Sequence, residues 1–129
     1  MSPPEAPVSW GELIDKVTIL EIKRKRLKRP EALANVAKEL SLLSALADGA
    51  IADRADVMSL KRRLAAVNED LWDIEDRIRL QEAARTFDER FIELARSVYK
   101  RNDERAAIKR TINLALSLEL VEEKSYSEH

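Results

Sequence analysis

The sequence contains no cysteine, only two glycines and a single histidine, the C-terminal His129. Without cysteine the protein forms neither disulfides nor thiolate metal sites, and no imidazole is available as a general base inside the domain. The net charge of −1 excludes a global field that would attract nucleic acid or an anionic membrane. No apolar run approaches the roughly 20 residues of a membrane span, and the N-terminus lacks the apolar segment of a signal peptide. We therefore expect a cytoplasmic protein, and we expect no cofactor because no cofactor-binding motif is present.

What the chain does contain favours long helices. Of its 129 residues, 45% are hydrophobic and 36% are charged, whereas only 5% are aromatic. Few turn residues together with abundant Ala, Leu, Glu, Lys and Arg are typical of helical proteins rather than of sheets. The length corresponds to one domain with one core. The composition therefore predicts a single all-α domain.

The N-terminal part of the chain predicts an extended arm followed by a helical hairpin. Residues 1–8 contain three prolines and form the arm. Ser9, with a glutamate three residues later, makes a capping box that starts the first helix. Pro30 fits the first turn of the second helix, and Gly49 fits a left-handed cap at its end. The first hairpin is predicted to span residues 9–49.

The rest of the chain carries the most regular pattern, a run of apolar residues separated alternately by three and four positions. These residues are Val57, Leu60, Leu64, Val67, Leu71, Ile74 and Ile78. Such a heptad seam predicts a long, coiled-coil-like helix that begins at Asp53 or Asp56. Thr86, with a glutamate three residues later, makes a second capping box and predicts a tight turn into the fourth helix. The second hairpin is predicted over residues 53–118, and residues 119–129 form a tail.

These signals predict a four-helix bundle made of two antiparallel helical hairpins. The second hairpin would be roughly 50 Å long at 1.5 Å per residue, which is longer than the first two helices can cover. The uncovered part of its apolar stripe predicts a homodimer, with residues 57–64 or Trp72 at the contact. This surface would also suit another protein partner, whereas a membrane or nucleic acid is not expected.

The segment FIELARSVYKRNDERAAIKRTI, residues 91–112, places Arg101 and Arg105 at two positions of its apolar stripe. In an antiparallel hairpin with the predicted turn, facing residues have numbers that sum to about 175. The two arginines then lie opposite Leu71 and Ile74, among carboxylates and amides of both helices. We predict a polar layer here and treat it as a candidate binding site. Its members are Asp70, Glu75, Arg101, Asn102, Arg105 and Lys109.

Two interpretations of this polar layer stay open. As a structural device, it would fix the register of a coiled coil that could otherwise slide by one heptad. As a site, Arg101 and Arg105 would present planar donors to an anion such as a phosphate or sugar phosphate. The sequence contains no glycine-rich phosphate loop, which favours the structural interpretation.

Trp72 lies outside the heptad seam and among acidic residues. It either forms a partner surface or fills the gap between the two hairpins. Glu69, Asp73 and Asp76 share one helical face with a spacing that Mg²⁺ ligands could use. All-α nucleotide pyrophosphohydrolases bind metal through carboxylate pairs on two facing helices, but the customary spacing between such pairs is absent here. A solvated acidic face is therefore favoured over a metal site.

The run KRKRLKR, residues 23–29, holds six basic residues in seven positions. Positive charge at the C-terminus of a helix complements the helix dipole and bonds the last carbonyls. A patch for nucleic acid or polyphosphate would interleave aromatic residues with the charges, and none is present. We interpret the run as a solvated helix end.

Four blocks of sequence are distributed along the chain between residues 9 and 126, and residues 47–56 match none of them. They are SWGELIDKVTILEIKRKR, VNEDLWDIEDRI, FIELARSVYKRNDERAAIKRTIN and EEKSY. In this order they resemble a family of small uncharacterised proteins of bacteria and phages, a domain of unknown function. The resemblance implies no catalytic residues, because the family has no established activity. An association of some members with genes for surface-polysaccharide synthesis implies sugar phosphates as ligands.

The function predicted from the sequence is that of a non-enzymatic helical module for binding or assembly, linked by the resemblance to surface-polysaccharide synthesis. The alternative is an accessory protein for a Mg²⁺-dependent hydrolase or transferase. Such a protein would act on a nucleotide or sugar phosphate through carboxylates carried by its helices.

Overall fold

The computed structural model describes residues 1–116, which fold into four helices. They are α1 (Trp10–Arg26), α2 (Pro30–Ile51), α3 (Ala55–Ala83) and α4 (Glu89–Ala115). Residues 1–116 contain no strand and the helices pack together, so the predicted all-α four-helix bundle is confirmed. None of these helices has both the length and the apolar character needed to cross a membrane. The predicted tail, residues 119–129, and the EEKSY block lie outside the described residues.

Helix α1 begins where its capping box predicts and forms the centre of the bundle. Ser9 is the N-cap, and its Oγ accepts a hydrogen bond of 3.2 Å from the backbone N–H of Glu12. The helix contacts each of the other three helices. Its buried residues lie on more than one face: Gly11, Leu13, Ile14, Asp15, Val17, Thr18, Leu20 and Ile22.

Helix α2 starts as predicted but ends later. Pro30 lies in its first turn, where the missing N–H costs nothing. The predicted cap at Gly49 is wrong, because the helix runs through this residue to Ile51, and no glycine among residues 1–116 has a positive φ. Ile51 is buried against the core. Its burial stabilises the last turn, so packing overrides the local signal of the glycine.

Helix α3 begins at Ala55, between the two predicted start residues Asp53 and Asp56, and it starts without a side-chain cap. The N-cap residue is Arg54, and Asp56 lies in the first turn, where its charge complements the helix dipole. The Arg54 guanidinium donates to Asp56 at 3.1 and 3.0 Å and to the backbone carbonyl of Ala115 at 2.7 Å. This contact fixes the start of α3 beside the end of α4.

The connection between α3 and α4 is tight, but α4 begins later than its predicted cap. Arg85 adopts a left-handed conformation with φ of 54°. The backbone N–H groups of Arg85 and Thr86 bond to the carbonyls of Glu82 and Gln81 at 3.0 and 2.9 Å, which is the Schellman pattern that ends a helix. Thr86 therefore ends α3 rather than capping α4, and the prediction for Thr86 is wrong. Asp88 is the N-cap of α4 and accepts a bond of 3.1 Å from the N–H three positions later.

Helices α3 and α4 are antiparallel neighbours, and they share the most extensive contact in the fold. Arg54 lies beside Ala115 at one end of the pair, and Asp70 lies beside Arg101 further along it. Residue numbers on α4 therefore fall as those on α3 rise, as expected for a hairpin.

Helix α1 lies across this hairpin and contacts both of its helices. Near its start, Glu12 pairs with Lys109 of α4. Further along, Glu21 pairs with Lys61 of α3. Helix α2 packs mainly on α1 and has little contact with α3.

The heptad seam of α3 faces the core, as predicted from its period. Its buried members are Val57, Leu60, Leu64, Val67 and Leu71. The seam between residues 57 and 64 is buried within a single chain. It is therefore not the uncovered apolar stripe from which a dimer contact at residues 57–64 was predicted. Helices α1 and α2 supply the apolar partners that the sequence did not assign to this part of the seam.

The far end of the hairpin projects beyond the main core. That core ends at Leu71 on α3, with Val98 of α4 packed against it. The hairpin continues through residues 74–97, which are called the hairpin tip below. Within the tip, Ile74 and Ile78 are half-buried, and only Leu94 is buried.

Candidate functional site

A buried ion pair joins Asp15 of α1 to Arg105 of α4. The Asp15 side chain is only 1% exposed. Arg105 donates from Nε to Oδ1 at 2.9 Å and from Nη2 to Oδ2 at 2.5 Å. This bidentate geometry matches the planar guanidinium to the planar carboxylate and gives two charge-assisted hydrogen bonds. The pair therefore ties α4 to α1 with a defined orientation.

Thr18 and Asn68 complete the hydrogen bonding around this carboxylate. The Asn68 Nδ2 of α3 donates to Asp15 Oδ1 and to Thr18 Oγ1, each at 2.9 Å. Thr18 Oγ1 donates to the backbone carbonyl of Asp15 at 2.7 Å. We call these four residues the Asp15 network: Asp15, Thr18, Asn68 and Arg105. Three helices meet at one carboxylate that already accepts three side-chain hydrogen bonds, which is the geometry of a structural junction rather than of a reactive acid.

Beside the Asp15 network, α1 and α4 approach closely at Gly11. The backbone N–H of Gly11 donates to Asn113 Oδ1 at 2.7 Å. A Cβ at position 11 would lie 2.4 Å from the backbone carbonyl oxygen of Lys109, so only glycine fits here. The buried Lys109 Nζ pairs with Glu12 at 2.7 Å. These contacts hold the start of α1 against α4.

Part of the predicted polar layer lies at the surface of the hairpin. Arg101 Nε is 3.6 Å from Asp70 Oδ2, and Arg101 Nη1 is 2.7 Å from Glu104 Oε1. Glu75 is 3.8 Å from Arg79 of its own helix. These side chains are between 40% and 75% exposed, so their ion pairs are screened by water. Asp70 and Glu75 therefore do not share a single site with the Asp15 network.

Two other predicted members of the layer, Arg105 and Lys109, bind carboxylates of α1. Asn102 Oδ1 accepts a long bond of 3.4 Å from Arg105 Nη1, while Arg105 itself binds Asp15. The expected pairing of Arg105 with carboxylates of its own hairpin is wrong. A carboxylate out of water attracts a guanidinium more strongly than the half-exposed Asp70 does. An anion-binding role for Arg101 and Arg105 stays a prediction.

The sequence interpretation missed the α1 members of this junction, Asp15 and Thr18. A signal for them exists, because Gly11, Asp15, Thr18 and Ile22 follow one another at spacings of four, three and four. That spacing defines one face of a helix. Small and polar residues on such a face, on a helix whose other faces are apolar, indicate a close polar contact with a neighbouring helix.

Trp72 packs against the end of α1. The Arg26 guanidinium lies 5.8 Å from the centroid of the Trp72 ring, within the range of a cation–π contact. Arg26 also hydrogen-bonds Glu69 and, at 2.7 Å, Asp73, and the latter bond holds the pKa of Asp73 below its usual value. Trp72 is half-buried in this position, as expected if it fills the gap between the helices.

The carboxylates considered as Mg²⁺ ligands are engaged differently. Glu69 and Asp73 share Arg26, and Lys25 Nζ lies 3.5 Å from Glu69. Asp76 is exposed. No group of three acidic or histidine side chains within residues 1–116 is placed to hold a metal ion. Part of the basic run at residues 23–29 thus neutralises this acidic face.

Comparison with known proteins adds a family and no function. A protein-family model matches residues 5–129, nearly the whole chain, and its description gives no activity. No curated protein and no solved structure matches the chain.

Proposed function

This chain belongs to DUF6165, a family of unknown function, and from its structure we propose that it is a non-enzymatic assembly module. The module forms a homodimer through the hairpin tip. A non-enzymatic role is supported by the buried ionisable side chains of residues 1–116. Asp15 and Lys109 are each held in an ion pair inside the bundle. Neither is presented to a substrate.

The observation that carries the dimer proposal is the exposed apolar surface of the hairpin tip. Leu80, Phe87 and Ile92 are each more than half exposed. Phe87 contacts Phe91 edge to face, with the ring centroids 5.2 Å apart. Large apolar side chains grouped at a projecting end mark an interaction surface more often than single exposed leucines do.

The composition of the tip is also that of an interface. Residues 74–97 contain both phenylalanines of the chain and no lysine. Protein interfaces are enriched in aromatic residues and arginine, and they are depleted in lysine. The basic residues of the tip are all arginines: Arg77, Arg79, Arg85, Arg90 and Arg96.

A second copy of the chain suits this surface because the charges of the tip are balanced. A two-fold symmetric dimer needs a surface that complements itself. The arginines of the tip face a similar number of acids, so an acid of one copy can meet an arginine of the other. These acids are Glu75, Asp76, Glu82, Asp88, Glu89 and Glu93.

The test is the mass of the protein in solution, measured by light scattering after size exclusion. The parent is expected to be a dimer at tens of micromolar, and a variant with Leu80→Glu and Ile92→Glu is expected to be a monomer with unchanged helicity. The matched control carries Leu42→Glu and Leu46→Glu, two equally exposed positions on α2. A monomeric parent, or a dimer that survives the tip substitutions, would refute the proposal.

A further inference from the structure

An open groove of about 490 Å³ lies between α1, α2 and α3. Helix α2 packs mainly on α1 and has little contact with α3, so the space between α2 and α3 stays open. The groove is lined by α3 residues that precede Trp72, which separates it from the hairpin tip. Its volume lies in the range of pockets that hold a small organic ligand, roughly 300–1,000 Å³.

The surface of the groove is mainly apolar. Ile22 of α1 and Ile51 at the end of α2 line it and are buried, so they form its floor. Met58 of α3 is exposed, and a flexible methionine adapts to ligands of different shape. Ala52 and Ala65 complete the apolar lining and leave room that larger side chains would fill.

The charged side chains around the groove sum to zero. Its lining holds three acids and three cations, Glu21, Asp48, Glu69, Lys25, Lys61 and Arg62. Lys61 Nζ of α3 lies 3.2 Å from Glu21 Oε1 of α1. Lys25 Nζ of α1 lies 3.5 Å from Glu69 Oε1 of α3. The last two, Asp48 and Arg62, are exposed to water and carry opposite charges.

This balance disfavours a charged ligand of either sign. An ionised group that leaves water needs an opposite charge to compensate for its lost hydration. Each cation of the lining is matched by an acid of the lining, so neither an anion nor a cation meets an unopposed charge. An uncharged ligand avoids this cost and gains from burying its apolar surface.

We propose that the groove binds an uncharged, apolar small molecule. The apolar lining supplies the affinity, and the balanced charges discriminate against both anions and cations. Each methylene group buried on the floor should raise the affinity about fourfold, up to the length of the groove. The site is independent of the proposed dimer, because all its lining residues precede residue 70.

The first experiment compares ligands with the same apolar chain by calorimetric titration at neutral pH. 1-Octanol is expected to bind one site per chain, with the negative heat-capacity change of apolar burial. Octanoate and octylammonium carry opposite charges, and both should bind about tenfold more weakly. An absence of octanol binding up to its solubility limit would overturn the proposal. Equal or tighter binding of either ion would do the same.

The second experiment places the ligand by nuclear magnetic resonance. Met58 and Met1 are the two methionines of the sequence, so protein labelled with ¹³C at the methionine methyl groups has at most two such signals. Octanol should shift the Met58 signal in proportion to the calorimetric saturation and leave the Met1 signal unchanged. A Met58 signal that does not move at saturation would show that octanol binds elsewhere.

The third experiment fills the groove. Ala65→Trp should abolish octanol binding. Ala66→Trp is the matched control, because Ala66 lines a different groove, between α3 and α4. Circular dichroism establishes that each variant is folded. Unchanged octanol binding in a folded Ala65→Trp variant, or an equal loss in Ala66→Trp, would refute the assignment.

Two substitutions of exposed charges test the role of the balance even if Ala65→Trp does not fold. Arg62→Gln leaves the lining with an excess acid, and Asp48→Asn leaves it with an excess cation. The first should shift the ratio of octylammonium to octanoate affinity about two- to threefold toward octylammonium, and the second toward octanoate, since exposed charges interact weakly. Octanol affinity should stay the same in both. Ratios that do not move in opposite directions would contradict the proposed discrimination.

Discussion

Arg105 of α4 binds both carboxylate oxygens of Asp15 on α1, a residue 90 positions earlier in the chain. Asn68 of α3 donates to the same carboxylate. The first, third and fourth helices are therefore joined at one buried charge. Arg105 interrupts the apolar stripe of α4, where a leucine would be expected, because its guanidinium binds this carboxylate.

Loss of the Arg105 side chain should destabilise the protein strongly. Arg105→Leu leaves the Asp15 carboxylate buried without its cation. We expect the free energy of unfolding to fall by about 2–3 kcal/mol, below the full penalty of a buried pair because Arg105 is partly exposed. The double substitution Asp15→Leu, Arg105→Leu removes both charges and should recover most of the loss. Urea denaturation measures both values.

The control for this prediction is Arg101→Leu. Arg101 contacts Asp70 and Glu104 at the surface, where ion pairs contribute about 0–1 kcal/mol. If Arg101→Leu costs as much as Arg105→Leu, the Asp15 network does not have the role assigned to it.

The two glycines of the chain should respond in opposite directions to alanine. Gly11→Ala places a Cβ against the backbone of α4, and we expect a loss of about 1–3 kcal/mol, typical of overpacking. Gly49→Ala meets no atom within 4 Å on the helix α2, and it should raise stability by about 0.5–1 kcal/mol through helix propensity. Thermal melts of the two variants test the pair. Equal effects of the two substitutions would contradict the close approach at Gly11.

The left-handed residue at the end of α3 offers a stabilising substitution. Arg85 has a φ of 54°, a region that costs a residue with a Cβ roughly 1–2 kcal/mol. Arg85→Gly should relieve this cost and raise the free energy of unfolding by about 0.5–1 kcal/mol, net of the greater flexibility of glycine in the unfolded chain. Ala84→Gly, one position earlier and right-handed, is the control and should not stabilise. A destabilised Arg85→Gly variant would mean that the contacts of the arginine side chain stabilise the protein by more than the left-handed backbone conformation destabilises it.

The contact between Arg26 and Asp73 should make stability depend on pH in acid. The hydrogen bond from Arg26 lowers the pKa of Asp73 in the folded state. The hydrogen bond therefore stabilises the folded state at pH values above about 3.9, the pKa of an aspartate in the unfolded chain. This stabilisation is lost as the pH falls through the lowered pKa of Asp73 in the folded state. The stability difference between the parent and Asp73→Asn should be constant near neutral pH and should shrink below about pH 4. A difference that persists undiminished in strong acid would contradict the assignment.

Much of the fold follows from local signals in the sequence. The hydroxyl of Ser9 caps α1, and Pro30 lies in the first turn of α2, because both effects depend only on the next few residues. The seam from Val57 to Leu71 is buried because a period of 3.5 residues places these side chains on one face of any helix they form. Helix number, antiparallel pairing of the last two helices and the orientation of the seam could all be predicted in this way.

The tertiary structure decided the features that depend on residues far apart in the chain. Whether α2 stops at Gly49 or continues depends on the burial that the core offers to Ile51. The choice of Arg105 between a half-exposed carboxylate of α3 and the buried Asp15 depends on where α1 crosses the hairpin. An open groove between α1, α2 and α3 likewise exists only because α2 and α3 stay apart. The strength of an ion pair and the gain from burying a side chain both depend on how much water the surrounding helices exclude, and no spacing within one helix contains that information.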